Sequence, residues 1–162
     1  MPTHAEKRRL PYRADQLFDL VADIERYPEF LPWCRAARVR RREGDMIIAD
    51  LVIGWRMIRE RFTSRVVLSR PRRIDVSYHE GPFRYLNNHW IFEPQPDQSC
   101  VIDFYVDFEF RSKVLQKLIG VLFNEAVRRM VHAFESRAQQ LYGAPTESAS
   151  QGAPSRSRPA GA

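Results

Sequence analysis

Any chemistry in this chain has to come from a short list of side chains. Cys34, Cys100, the histidines at positions 4, 79, 89 and 132, and the carboxylates Asp103, Asp107 and Glu109 are the prominent candidates for nucleophile, base or metal ligand. Acyl transfer needs a nucleophile beside a base, and acid–base catalysis needs two titratable groups converging in a pocket. No histidine shares with a serine, cysteine or carboxylate a short motif that suggests a triad. Asp103, Asp107 and Glu109 fall four and two residues apart on one face of an alternating segment, where pairing with nearby arginines is the expected role. The cysteines lie 66 positions apart, outside any CxxC or zinc spacing, and there is no glycine-rich phosphate loop. Cys34 reads as a small buried thiol. The expectation is a binding protein without catalysis, cofactor or metal.

Charge points to a class of partner. The net charge is +6, and all but three of the 26 basic residues (Lys7, Lys113 and Lys117) are arginine. Such a surface is drawn to phosphate, on RNA or on anionic lipid. Arg35, Arg38, Arg40, Arg41 and Arg42 form the densest run. They are the candidate membrane or RNA dock, with a merely solvated strand face as the alternative. Two isolated cysteines predict a reducing cytoplasm. Residues 1–10 lack the apolar core of a secretory signal, and no run is long enough for a membrane helix.

The elements that must position these groups follow from periodicity. Residues 3–12 read as a strand, followed by a short amphipathic helix over 14–23 and a second short helical turn over 25–30 interrupted by Pro28. From Ala36 to Phe110 apolar residues alternate with polar ones, most clearly Ile102, Phe104, Val106, Phe108 and Phe110 against Asp103, Tyr105, Asp107 and Glu109. That is a set of antiparallel strands with one buried and one wet face. Gly44-Asp45, Pro71, Gly81-Pro82 and the Pro94–Gln98 stretch supply the turns. Ser112–Tyr142 then carries apolar residues at steps of three and four: Leu115, Leu118, Ile119, Leu122, Ala126, Val127, Met130, Phe134, Ala138 and Leu141. This is one long helix, capped by Ser112 and stopped at Gly143. Residues 143–162, rich in Ala, Ser, Pro and Gly, are expected to be a disordered tail behind a single domain over 1–142.

The inward positions hold more bulk than one helix stripe can cover, Trp55, Phe104 and Trp90 among them. Either the short helices plug the remainder or a cavity stays open, and apolar cavities with a few polar groups are the usual form of a small-molecule site. Asn88 is the odd polar residue on the inward face between Leu86 and Trp90. It would orient a ligand head group, or it is a satisfied buried amide.

The octet Tyr27-Pro28-Glu29-Phe30-Leu31-Pro32-Trp33-Cys34, and Gly81-Pro82-Phe83-Arg84-Tyr85-Leu86 leading to Trp90 and Phe92, closely resemble the coenzyme Q-binding START-domain family. That family is grouped with polyketide cyclase-like proteins and with a bacterial ribosome-association toxin. The resemblance implies an α+β helix-grip fold, in which a curved seven-stranded antiparallel sheet surrounds the C-terminal helix. It also implies binding of ubiquinone or a similar isoprenoid lipid in a hydrophobic tunnel, as a carrier supporting respiratory electron transport. By motif position, Tyr27, Phe30, Leu31, Pro32 and Trp33 would form the tunnel mouth. Phe83, Leu86 and Trp90 would line it beside the helix residues Leu118 and Leu122. The alternative partner is the ribosome, whose subunit association such a protein would block.

Overall fold

The computed structural model describes residues 3–55 and 58–143; the side chain of Trp55 and residues 144–162 of the expected tail fall outside the described residues. The elements run β1 (Thr3–Leu10), α1 (Ala14–Ala22), a 3-10 helix (Ile24–Glu29), β2 (Cys34–Glu43), β3 (Met46–Trp55), β4 (Ile58–Ser69), β5 (Arg73–Glu80), β6 (Phe83–Pro94), β7 (Cys100–Phe110) and α2 (Lys113–Tyr142). This is the helix-grip architecture expected from the alternation and the long terminal stripe. The first strand ends at Leu10 rather than at residue 12, and Tyr12 is buried in the loop beyond it.

All seven strands form one antiparallel sheet in the order β1-β7-β6-β5-β4-β3-β2. Strands β1 and β2, neighbours in sequence, therefore lie at opposite edges. The segment between them, with α1 and the 3-10 helix, has to cross the concave side of the sheet, and that crossing covers one end of the space under α2. Phe18 of α1 meets Phe92 of β6 edge to face, with ring centroids 5.7 Å apart. At the β2 edge, Glu25 accepts the Val39 N–H at 2.8 Å, so one edge donor is taken up within the chain.

Alternation is interrupted where the ladder has register shifts, at Cys34/Ala36, Val39/Arg41, Thr63/Ser64 and Phe83/Tyr85. These irregularities bend the strands, as a sheet curling around a helix requires. Gly81 joins β5 to β6 at φ +144°, and a Cβ there would come within 2.6 Å of the Phe62 Cβ, so only glycine fits that turn.

Helix α2 has 30 residues and is about 45 Å long at 1.5 Å per residue. Ser112 caps it by accepting the Leu115 N–H at 3.2 Å. Its far end is tied down by two tyrosines: Tyr142 Oη donates to the Gln16 carbonyl at 2.7 Å, and Tyr12 Oη donates to the Gly143 carbonyl at 3.1 Å. Two positions depart from the expected stripe: Leu141 is 51 % exposed despite its apolar spacing, and Phe123, left out of the stripe, packs against the core. In the last turn Ala138 and Tyr142 face the core, and Leu141, one residue before Tyr142, is turned to the side.

Candidate functional site

Between the concave face of the sheet and α2 lies a cavity of about 240 Å³. The strand pleat turns alternating residues of β3 to β7 toward it, such as Leu51 and Ile53 or Phe104, Val106 and Phe108, and the spacing of α2 brings Ile119, Phe123, Ala126, Val127, Met130 and Phe134 down from above. From the crossing segment, Val21, Ile24, Tyr27, Leu31 and Trp33 close the side.

Most of the residues expected to bind a ligand meet here. Tyr27, Leu31, Trp33, Phe83, Leu86, Asn88, Trp90 and Phe104 all line the cavity. Phe30 does not; its ring packs edge to face on Tyr27 at 6.0 Å and on Phe134 at 5.2 Å, which places it behind the wall. Pro32 is exposed. Leu118 and Leu122 are also off the wall, packed on the flank of the core. Each stands one residue, or about 100° of helix rotation, from Ile119 and Phe123, and that rotation turns it sideways.

The walls are largely aromatic. Trp90 is the hub: Phe104 meets it at 4.6 Å and Phe134 at 5.2 Å, both edge-on, and Phe92 stacks parallel to it at 6.4 Å. Phe83 stacks on Phe110 at 4.8 Å and takes Phe62 and Phe108 edge-on. Such offset and edge contacts suit ring quadrupoles, and they hold the walls apart as a rigid frame.

Few polar groups interrupt this surface. Asn88 donates from Nδ2 to the Tyr105 carbonyl at 2.7 Å and accepts from Trp90 Nε1 at 3.2 Å. It is therefore a hydrogen-bonded amide that also faces the cavity. Tyr27 donates its hydroxyl to the Val21 carbonyl, and burial pushes its ionisation well above the usual tyrosine range. Ser64, which the sequence reading passed over, also lines the cavity; it is 1 % exposed and its Oγ has no hydrogen-bond partner among the described residues.

The candidate chemical groups lie elsewhere. Cys34 and Cys100 are buried, and burial pushes each thiol up to about 11. On the outer face Asp107 accepts from Thr3 Oγ1 at 3.1 Å and from Tyr85 Oη at 3.4 Å, while Arg84 pairs with Glu109 at 3.3 Å. His89 stacks on Tyr105 at 5.3 Å on that same face. His4 lies at the β1 edge against Glu6, 2.8 Å away.

The arginine run occupies the β2 edge. Arg35, Arg38, Arg40, Arg41 and Arg42 are all exposed. Arg40 reaches Asp50 at 3.5 Å and Arg41 reaches Glu43 at 3.5 Å, whereas Arg35, Arg38 and Arg42 form no ion pair among the described residues. Among those residues, no helix is long and apolar enough to cross a membrane.

Comparison with known proteins agrees with this architecture. The family model described as polyketide cyclase / dehydrase and lipid transport matches residues 10–135. The ribosome association toxin RatA of Pseudomonas aeruginosa is 39 % identical over 144 residues, which cover 88 % of this chain and all of that protein. The mitochondrial coenzyme Q-binding protein COQ10 homolog B of Xenopus laevis is 33 % identical over 145 residues, covering 86 % of this chain and 59 % of the relative. A START superfamily protein from Mycobacterium smegmatis superimposes with a TM-score of 0.74 over 86 % of this chain and 98 % of its own, at 19 % identity, and so shares the fold.

Proposed function

This chain belongs to the polyketide cyclase / dehydrase and lipid transport family, and from that premise we propose that it is a non-catalytic carrier of ubiquinone or a similar isoprenoid lipid. The observation that carries the reading is the apolar, aromatic-walled cavity between α2 and the sheet. Each Å² of lipid moved from water to such walls contributes roughly 25 cal/mol, and this requires no reacting group. The thiols support a non-catalytic role, since a nucleophilic cysteine needs a lowered pKa and both are raised. The carrier would work in the bacterial cytoplasm, docking on the inner membrane through the exposed arginines of β2 and supporting respiratory electron transport.

A ribosomal role is the second reading, favoured by the name of the Pseudomonas relative and by Arg35, Arg38 and Arg42, which form no ion pair among the described residues. Duplex RNA would be met by charge. The outer sheet face is less suited to stacking bases, because Tyr85, Tyr105 and His89 lie there among Asp103, Asp107 and Glu109.

Organic extraction and mass spectrometry of protein purified from its native host without detergent tests the first reading, with a stoichiometric quinone as the expected result. Absence of lipid together with salt-dependent co-sedimentation with ribosomal subunits would replace it with the second.

A further inference from the structure

We propose that Ser64 and Asn88 are two hydrogen-bonding anchors for the head of the bound lipid, and that this head carries oxygens on opposite edges; the inference rests on the lipid-carrier reading above. Ser64 is the starting point. Its Oγ is buried in the cavity wall without a partner among the described residues. Its register neighbours are Ala49, which has no polar side-chain atom, and Tyr78, whose hydroxyl accepts the Phe83 N–H at 3.2 Å and makes no hydrogen bond to Ser64. A buried hydroxyl left unpaired keeps its full desolvation penalty, which alanine at the same position would not incur. A group that weakens the fold at the wall of an apolar cavity is accounted for if a ligand supplies the missing bond. The hydroxyl is covered by the wall itself, and rotation about its single χ1 torsion presents it to a ligand.

Asn88 is the second group. Its carboxamide has two N–H donors, of which the Tyr105 carbonyl takes one, and the contact with Trp90 fixes its plane. Among the described residues its second donor has no partner, and it sits on an amide held in the cavity wall.

The sheet register sets their separation. Ser64 pairs with Tyr78, and Asn88 pairs with Val76, so β5 lies between them and they are offset by two residues along it. Two strand spacings and two residue rises put the backbones about 12 Å apart on one face. No single oxygen meets both. Both side chains stand on the cavity side of the sheet, with β5 between them. Oxygens on opposite edges of one head group reach both anchors, whereas a lone alcohol or a single carboxylate reaches one.

The test compares two probes that differ in oxygen: decylubiquinone and decylbenzene. Each displaces an apolar fluorescent dye from the full-length protein, wild type or Ser64→Ala, and both proteins are melted without ligand. Expected is a Ser64→Ala protein that melts no lower than wild type and binds decylubiquinone about five- to tenfold more weakly, with decylbenzene unchanged. Equal weakening of both probes, no weakening of either, or a lower melting temperature would overturn the assignment while leaving the carrier reading intact. A wild-type protein that takes neither probe would overturn the carrier reading and the anchors together, before any variant is made.

Discussion

Trp90 Nε1 donates to Asn88 Oδ1 at 3.2 Å, linking two residues of β6 that sit side by side in the cavity wall. The bond lets an amide stand on an otherwise apolar face, and it gives the largest ring of the cavity a fixed orientation. It also means that Trp90 cannot be altered without disturbing Asn88.

Trp90→Phe should keep most of the ring packing but leave Asn88 Oδ1 without its donor, a loss of about 1–3 kcal/mol. Trp90→Ala removes the hub against Phe92, Phe104 and Phe134 as well, and should cost about 3–5 kcal/mol. Urea unfolding separates the two. An unchanged stability in Trp90→Phe would show that the hydrogen bond contributes nothing beyond the ring.

Placement of the site on α2 is tested by two changes with opposite consequences. Ala126→Phe projects a ring into the cavity and should abolish decylubiquinone binding while the far-ultraviolet circular dichroism stays native. Leu118→Ala, on the flank, should lower stability by about 2–3 kcal/mol, given its partial burial, with affinity kept within twofold. The reverse pattern would put the ligand on the other side of the helix.

A charged clasp joins the β1 edge to α2. Arg8 bridges Glu6 and Glu135, each at 2.8 Å, and Glu6 also holds His4. Burial alone would raise the Glu6 carboxyl, but hydrogen bonds from His4 and Arg8 outweigh it and hold the group below its ordinary 4.5. A carboxylate depressed in the fold contributes stability above its unfolded value, and loses it as pH falls through the folded value. Melting temperatures of wild type and Glu6→Gln should therefore differ at neutral pH and converge below about pH 4.5. A gap that persists at lower pH would assign the loss to packing instead.

Both thiols should react slowly. With each pushed up to about 11, little thiolate exists at neutral pH, and burial blocks the reagent as well. Labelling by a neutral maleimide should be at least about a hundredfold slower in the native protein than in urea. Rapid modification of Cys34 in the native state would revive a nucleophilic role.

The β2 arginines should act through charge alone. Arg38→Ala combined with Arg42→Ala should leave melting unchanged, because neither residue forms an ion pair among the described residues. Binding to anionic vesicles should weaken and lose salt dependence, at about 1 kcal/mol per charge near the surface. Unchanged vesicle binding would move the dock elsewhere.

Sequence alone carried the architecture a long way. Ile102 to Phe110 announces a one-faced strand, and the run from Leu115 to Ala138 announces a helix lying over a sheet, because period two and period 3.6 are set by local backbone geometry. The caps at Ser112 and Gly143 were legible for the same reason. Which residues face the cavity was only partly legible. Alternation brought Leu86, Asn88, Trp90 and Phe104 inward, yet on α2 a rotation of one residue separates Leu118 and Leu122 from Ile119 and Phe123, and the stripe is too broad to reveal it. Ser64 carried a signal that was there to be found, since it sits between Phe62 and Val66 in the inward register. That its hydroxyl has no partner among the described residues, that it stands across β5 from Asn88, and that β1 and β2 part to opposite edges were decided by tertiary structure. Those facts depend on which strands become neighbours and in what register, and chain-local periodicity does not encode either.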